Sequence, residues 1–281
     1  MNMKIVADSS ANIFALEGVA FASVPLKIQT GRGEYVDDAS VDLDALLQDL
    51  RTTKARTQTS CPNAFEWQSA FGDADCVFAV TITSNLSGSY AAACKAREDA
   101  LAENPARKIA VIDSLSAGPE MLLLIERIRA GILGGKGFEE IESDVREYAK
   151  QTHLIFGLQS LKNLARNGRV NPLVAKLAGL LGIQVVGMAS AQGTLQPLCK
   201  PRGNTKALQA IFDEMKKLGF VGGRVRIAHC NNPEKAQALK WLIQSNCPDA
   251  EILVDKTTAL CSYYAEEGGL LVGFEGLLPL A

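Results

Sequence analysis

Short apolar runs alternate along the first half of the chain with longer segments of helical periodicity. The apolar runs are rich in β-branched residues and are bounded by polar residues or glycine, which predicts buried strands at residues 4–7, 19–28, 77–82 and 109–112. Helices are predicted between them at residues 42–51, 64–71, 89–101 and 121–133. Because strands separated by helices need crossover connections, which give parallel pairing, the first half predicts a doubly wound α/β layer.

The second half combines a predicted hairpin with strand–helix units. A charged helix at 138–151 precedes an apolar run at 153–158, and we place a domain boundary there, giving domains of residues 1–152 and 153–281. The turn Ser190-Ala191-Gln192-Gly193 joins strands predicted at 183–189 and 194–199. The other predicted elements are helices at 173–181, 205–218 and 233–244, strands at 225–229, 252–254 and 270–274, and a helical turn from Thr258. The second domain is therefore predicted to be α/β with a mixed sheet.

Composition and charge narrow the class of protein. The chain of 281 residues is 47% apolar, which is typical of a globular protein, and its net charge of -2 argues against a broad basic face for nucleic acid. No window has the ~18 to 20 apolar residues that cross a bilayer, and the N-terminus lacks the pattern of a signal peptide. We therefore expect a cytoplasmic protein without stable membrane insertion. The seven scattered cysteines contain no C-x-x-C pair and are expected to be reduced.

Four clusters of hydroxyl side chains precede helices. Three of them follow predicted strands of the first half, at residues 8–10, 83–89 and 113–116, and the fourth is Thr57-Gln58-Thr59-Ser60. Each cluster alone is explained by N-capping of a helix. Because the carboxyl ends of parallel strands meet at one edge of a sheet, however, the clusters together with free helix N–H groups predict an anion site there, suited to a carboxylate or a phosphate.

Signatures of catalysis are missing from the chain. There is no G-x-S-x-G elbow, and the glycine-rich stretch at 131–137 follows a helix where a phosphate-binding loop would follow a strand. His153 and His229 do not form a paired ligand spacing, and the adjacent acidic residues Asp37 and Asp38 are expected to be solvated. We therefore predict no catalytic residue, metal or cofactor. A small-molecule hydrolase or phosphotransferase that uses Ser84 or Ser87 stays open as an alternative.

Several segments resemble motifs of the DegV family, in the order in which that family has them. Residues 6–10 resemble its V-T-D-S-S, residues 59–62 its T-S-Q-P, and residues 84–90 its S-x-L-S-G-T-Y. The remaining matching segments are Val24-Pro25-Leu26, Tyr35-Val36-Asp37, Val111-Ile112-Asp113-Ser114, Leu161 to Val170 and Leu180-Leu181-Gly182-Ile183. The resemblance covers nearly the whole chain.

This resemblance implies a two-domain DegV-like fold, with a parallel-sheet α/β domain followed by a mixed-sheet α/β domain, that binds one long-chain fatty acid. In some bacteria such proteins present the fatty acid to a separate fatty acid kinase. Carried over residue by residue, the resemblance implies a contact of Arg169 with an acyl phosphate or the kinase. It also implies a carboxylate site at Thr59, Ser60, Ser84, Ser87 and Gly88.

The chain departs from the family near its C-terminus. The family has an H-x-G-P-G motif there, whereas residues 263–270 of this chain read Y-Y-A-E-E-G-G-L and contain neither histidine nor proline. The missing histidine removes a donor that would face the head group. A carrier of a different apolar acid is therefore a second alternative.

Overall fold

The computed structural model describes residues 2–53, 55–175 and 182–278. Its strands and α-helices are, in chain order, β1 (Met3–Asp8), β2 (Ala20–Val24), β3 (Lys27–Gln29), β4 (Glu34–Val36), α1 (Leu43–Thr52), β5 (Gln58–Ser60), α2 (Ala64–Phe71), β6 (Cys76–Thr81), α3 (Ser89–Glu103), β7 (Lys108–Asp113), α4 (Pro119–Leu133), α5 (Phe138–Tyr148), β8 (Thr152–Leu158), α6 (Lys162–Arg166), α7 (Pro172–Ala175), β9 (Val185–Ala189), β10 (Leu195–Cys199), α8 (Asn204–Lys217), β11 (Arg224–His229), α9 (Pro233–Asn246), β12 (Glu251–Lys256), α10 (Ala259–Ala265) and β13 (Leu270–Glu275). Short 3-10 helices lie at Ser9–Ala11 and Ala149–Gln151.

The first half contains a four-stranded parallel sheet in the order β2-β1-β6-β7. Its central strands are buried on both faces. Ile5 and Phe78 pack on one side with α4 and α5, while Val6 and Val77 pack on the other with α2 and α3. Strands covered by helices on both faces read as continuous apolar runs, as these do. The doubly wound layer predicted from the sequence is confirmed.

The second half contains a six-stranded mixed sheet in the order β10-β9-β8-β13-β11-β12. Its β11–β12 pair is parallel and its other pairs are antiparallel. Helices α8 and α9 cover one face, where Ile155 and Val272 lie in the core. The opposite face carries Leu154, Phe156 and Leu271 in a separate apolar cluster. The predicted mixed sheet is confirmed, including the turn at residues 190–193 between β9 and β10.

Helix α4 packs on both sheets and joins the two halves. Gly273 of β13 permits this close approach, because an added Cβ would lie 2.5 Å from the backbone N of Glu120. Thr152 of β8 donates a hydrogen bond to the buried Glu120 carboxylate at 2.9 Å. Further along the helix, the buried guanidinium of Arg226 donates to Glu126 at 2.8 Å. Polar contacts as well as apolar packing therefore fix α4 against the six-stranded sheet.

One predicted strand is wrong. Residues 19–28 form two strands, β2 in the parallel sheet and β3 in a small antiparallel sheet ordered β4-β3-β5. Pro25 has no N–H for a sheet ladder. The backbone of Leu26 leaves the ladder too, since its N–H donates to Ser9 Oγ and its carbonyl accepts from the N–H of Asp37. The apolar run therefore continues through a break in the sheet.

Several short elements were not predicted. Strands β4 and β5 have three residues each, and α6 has five, so none is long enough to show a hydrophobic period. Of the helix predicted at 173–181, the structure describes Pro172–Ala175 as helical, and residues 176–181 lie outside the described residues. The domain boundary stays a prediction; β8 begins at Thr152, one residue before the predicted boundary strand.

None of the helices within residues 2–53, 55–175 and 182–278 combines the length and the apolar character that crossing a membrane requires.

The buried carboxyl group of Glu120 makes the stability of this fold depend on pH. Burial raises the pKa of Glu120 to about 7, so between about pH 4.5 and 7 the folded chain holds a proton that the unfolded chain releases. The free energy of unfolding from this group therefore decreases as the pH rises through that window. In Glu120→Gln this decrease is absent. We therefore expect the free energy of unfolding of the variant to rise, relative to that of the parent chain, by up to roughly 3 kcal/mol between pH 4.5 and 7.5.

Urea unfolding between pH 4.5 and 7.5 measures this difference. The matched control is Glu234→Gln, because Glu234 also follows a proline in the first turn of a helix but is exposed. Parallel pH profiles for the parent chain and Glu120→Gln would contradict the assignment.

Candidate functional site

An apolar cavity of about 300 Å³ lies between the carboxyl end of the parallel sheet, helix α10 and the face of the six-stranded sheet opposite α8 and α9. Both halves of the chain contribute apolar walls: Leu26, Ile82, Leu86, Ala117, Leu154, Phe156, Leu158, Leu164, Leu195, Leu260, Cys261, Ala265 and Leu271. The polar lining residues are Thr59, Ser60, Cys61, Ser87, Arg169 and Tyr264. Ser60, Cys61 and Gly88, which also lines the cavity, are exposed. We call the group formed by these polar residues and Gly88 the polar mouth.

The polar mouth is positioned from one side by a buried carboxylate, Asp8, at the end of β1. Asp8 is 0% exposed and accepts hydrogen bonds from the backbone N–H of Ile82 at 2.9 Å and from Ser89 Oγ at 2.7 Å. Ser10 donates to the same carboxylate through its N–H and its hydroxyl. Burial raises the pKa of Asp8, and these four donors oppose that rise. The hydroxyl cluster at residues 8–10 is therefore structural and fixes both ends of the loop at 83–88.

The loop at residues 83–88 lies between the two halves of the chain. Thr83 Oγ1 donates to the carbonyl of Gly193 in the β9–β10 turn at 2.9 Å. An added side chain at Gly193, where φ is +72°, would collide with Thr83 and Leu115, so the close approach requires glycine. The turn predicted from the sequence therefore holds the loop against the second half.

Within this loop, the structure separates the two serines of the predicted site. Ser87 and Gly88 line the cavity, whereas Ser84 is exposed and does not. The backbone N–H of Ser84 donates to the Asp113 carboxylate at 3.1 Å. Ser84 instead lines a shallow surface depression beside the mouth, together with Ser87, Gly88 and Arg169.

Strand β5 brings Thr59 to the cavity. Its three residues alternate, so that Thr59 lies inward while Gln58 and Ser60 are exposed. Thr59 Oγ1 and Tyr264 Oη share a hydrogen bond of 2.7 Å. Cys61 follows the strand and lies beside Gly88, where an added Cβ would be 3.0 Å from its Sγ. The 59–61 and 87–88 segments thus meet at the polar mouth.

Tyr264 was missed by the sequence analysis. It lies on α10, in the stretch that lacks the family's histidine, and its burial raises the pKa of its hydroxyl. The neighbouring Tyr263 is fully buried; its hydroxyl shares a 2.7 Å hydrogen bond with Thr57 and accepts one from Asn167 Nδ2 at 2.8 Å. Because both tyrosines lie in an apolar helical stretch, the sequence gives no signal that one of them reaches a ligand cavity.

A second buried carboxylate, Asp37, fixes the start of α10. It is 0% exposed and accepts hydrogen bonds from the N–H groups of Ala259 at 2.8 Å and Leu260 at 3.2 Å, and from the Thr258 hydroxyl. Burial raises the pKa of Asp37 to about 6. The expectation that Asp37 is solvated is therefore wrong, because the free N–H groups of a helix start draw this carboxylate into the core.

Arg169 lies at the edge of the mouth and contributes the positive charge among the described lining residues. Its Nε donates to the carbonyl of Leu86 at 3.1 Å, and its Nη1 donates to the carbonyl of Asn167. Asn167 is in turn bound to Tyr263. The guanidinium therefore bridges the 83–88 loop and the segment after α6, and it lines both the cavity and the surface depression.

This arrangement is suited to an amphipathic ligand with an anionic head. The apolar walls favour a hydrocarbon, while hydroxyls and a guanidinium at the mouth offer hydrogen bonds to a carboxylate. Within the described part of the chain, neither Ser84 nor Ser87 makes a side-chain hydrogen bond to a histidine or lysine; Ser87 Oγ accepts from the N–H of Ser89 at 3.3 Å. The geometry gives no support to an activated serine nucleophile.

Comparison with known proteins identifies relatives that match nearly the whole chain. The family model described as the DegV family of uncharacterised proteins matches residues 2–275. The chain is 43% identical over 279 residues to a DegV domain-containing protein of Streptococcus pneumoniae, covering 98% of this chain and 99% of that one. A DegV domain-containing protein of Streptococcus gordonii is 41% identical over the same number of residues, with the same coverage.

Solved structures with the same fold contain lipids. The chain superposes with a TM-score of 0.96 and 42% identity on the Streptococcus pneumoniae fatty acid kinase B3 protein loaded with linoleic acid. The TM-score is 0.95, with 42% identity, for a DegV family protein of Eubacterium eligens loaded with heptadecanoic acid. In both comparisons 98% of this chain and 99% of the other are covered.

The central position of Asp8 can be tested by substitution. In Asp8→Ala the N–H of Ile82 and the Ser89 hydroxyl lose their buried acceptor, and we expect the free energy of unfolding to fall by about 3 kcal/mol or more. Urea denaturation measures the change. The control is Asp255→Asn near the end of β12, where the side chain is exposed. A loss for Asp8→Ala no larger than that of the control would contradict the role given to Asp8.

Proposed function

Because this chain belongs to the DegV family, we propose that it is a carrier that binds one long-chain fatty acid, with the hydrocarbon tail in the cavity and the carboxylate at the polar mouth. The observation that carries this proposal is the cavity itself: leucine, isoleucine, alanine and phenylalanine side chains from both halves enclose it, and its polar groups lie together at the exposed side. A cavity of this kind fits a ligand that is apolar along its length and charged at one end.

The tail and the head group of such a ligand make separate contributions to its binding free energy. At ~0.8 kcal/mol per buried CH₂, a tail of about fourteen methylenes has a gross transfer free energy on the order of 11 kcal/mol, from which the costs of association are subtracted. Hydrogen bonds to a charged group contribute roughly 1.5 to 3 kcal/mol each. The tail therefore sets most of the affinity, and the polar mouth sets the orientation.

We assign the head-group contacts to Thr59, Ser60, Ser87, Gly88 and Tyr264. The Thr59 hydroxyl and the Tyr264 hydroxyl already share one hydrogen bond, so one O–H of the pair stays free to donate to a carboxylate from a position that is fixed in advance. Tyr264 supplies the O–H donor in the segment where the family has a histidine. Ser84, which the resemblance also implied, lies away from the cavity wall and is left out of this set.

We further propose that the carrier presents its fatty acid to a fatty acid kinase in the cytoplasm. Support comes from the exposed side of the mouth, where Ser60, Cys61 and Gly88 leave the head group within reach of a second protein. Arg169 lies at this rim and is the residue we assign to contact with an acyl phosphate or with the kinase. One similar solved structure is named a fatty acid kinase B3 protein.

Native mass spectrometry of the purified protein, before and after organic extraction, tests the proposal. We expect a mass increase that matches one fatty acid per chain and that disappears on extraction, and the extract should contain that fatty acid. Addition of palmitic acid to the extracted protein should restore the complex. A protein that purifies empty and takes up no added fatty acid would contradict the proposal, and a different apolar acid in the extract would identify another ligand class.

The head-group assignment predicts different effects for two hydroxyl positions. Thr59→Val removes a hydroxyl from the mouth at nearly constant volume, and we expect palmitate affinity to fall about 10- to 100-fold. Ser84→Ala should change it less than about twofold, because Ser84 does not line the cavity. Displacement of a fluorescent fatty acid measures both. Methyl palmitate is the ligand control and should bind Thr59→Val and the parent chain alike; equal palmitate affinities in the two variants would count against the assignment.

A further inference from the structure

The floor of the cavity is formed by one face of the six-stranded sheet. Because side chains alternate along a strand, Leu154, Phe156 and Leu158 of β8 all face the cavity. Phe156 is 2% exposed and is the only phenylalanine among the described lining residues. Its neighbours on the same face are Leu271 in β13 and Gly187 in β9, which pair with it across the two strand interfaces.

The position of the Phe156 ring depends on the absence of a side chain at Gly187. A Cβ added to Gly187 would lie 2.6 Å from Phe156 Cε2 and 2.6 Å from the carbonyl oxygen of Gln196. The ring therefore occupies the space above Gly187, lying over β9. Any side chain at position 187 would force the ring away from β9. Glycine within a strand marks such a close approach.

We propose that Phe156, seated on Gly187, limits the length of the acyl chain that the cavity accepts. This inference rests on the proposed function. The ring is the bulkiest apolar group in the lining, and removal of its outer atoms opens the space between β9 and the rest of the cavity to the ligand. On either side of it in β8, Leu158 pairs with Val185, and the space over Gly273, which pairs with Leu154, is filled by the backbone of Pro119 and Glu120 at the start of α4. A single substitution at Phe156, over Gly187, therefore changes the volume that the cavity offers to an acyl chain.

The test compares chain-length profiles. Delipidated parent chain, Phe156→Leu and Phe156→Ala are each incubated with an equimolar mixture of saturated fatty acids from lauric to arachidic acid, and the complexes are quantified by native mass spectrometry. Each methylene that gains a place in an apolar cavity contributes about fourfold in affinity. We therefore expect the ratio of bound arachidic to bound palmitic acid to rise by at least about fourfold in Phe156→Ala, and by less in Phe156→Leu.

The matched control is Phe212→Leu. Phe212 on α8 is also 2% exposed, but it packs on the opposite face of the same sheet. This control separates a larger cavity from a loosened core, and Phe156→Leu keeps the test usable if Phe156→Ala does not fold.

The possible outcomes are distinct. A shift to longer acids in the Phe156 variants, with an unchanged profile for Phe212→Leu, supports the proposal. An unchanged profile for Phe156→Leu, or equal shifts for Phe156→Leu and Phe212→Leu, overturns it while leaving fatty-acid binding intact. A parent chain that binds no acid in the mixture overturns the proposed function, and the present inference with it.

Discussion

The arrangement of the polar mouth depends on the buried carboxylate of Asp8. This side chain lies at the end of β1 and holds the end of the neighbouring strand and the first residue of α3 through Ile82 and Ser89. The loop between those two points is therefore closed at both ends by one acceptor. A buried carboxylate has a large desolvation cost, which is offset when several donors surround it, as they do here. Asp37 is stabilised in the same way on the other side of the cavity, where its carboxylate accepts hydrogen bonds from N–H groups at the start of α10.

A cavity between two sheets needs a rigid frame, because apolar walls without a ligand tend to collapse together. Helix α4 supplies this frame, packed against both sheets and fixed by Arg226 and Thr152. Glycines in the six-stranded sheet allow neighbouring groups to approach its backbone closely. Gly273 lets α4 approach the sheet, and Gly187 lets the phenyl ring of Phe156 approach β9. The same residue type thus permits the close approach of a helix at one position and of an aromatic ring at the other.

The sequence predicts the two sheets because most of their strands are apolar runs bounded by polar residues or glycine. It also predicts the β9–β10 turn, where Gly193 supports the tight conformation. The sequence does not predict side-chain positions that depend on residues far away along the chain. Asp37 looks like a solvated acid until α10, more than 200 residues later, places N–H groups against it. Ser84 and Ser87 are equivalent in the motif, and only the folded loop distinguishes them, because Ser87 lines the cavity and Ser84 does not. Tyr264 reaches the cavity because of the way α10 packs, and the local sequence pattern does not predict that packing.

A carboxylate held at the polar mouth, with the tail inside the cavity, is detected directly by ¹³C NMR of bound [1-¹³C]palmitic acid. We expect one bound carboxyl resonance, distinct from that of free palmitate. The bound carboxyl group should stay ionised to lower pH than the free acid, because hydroxyl donors and the Arg169 guanidinium favour the charged form. This resonance should move in Thr59→Val and stay in place in Ser84→Ala. A carboxyl signal that titrates like the free acid and is unaffected by Thr59→Val would contradict this position of the head group.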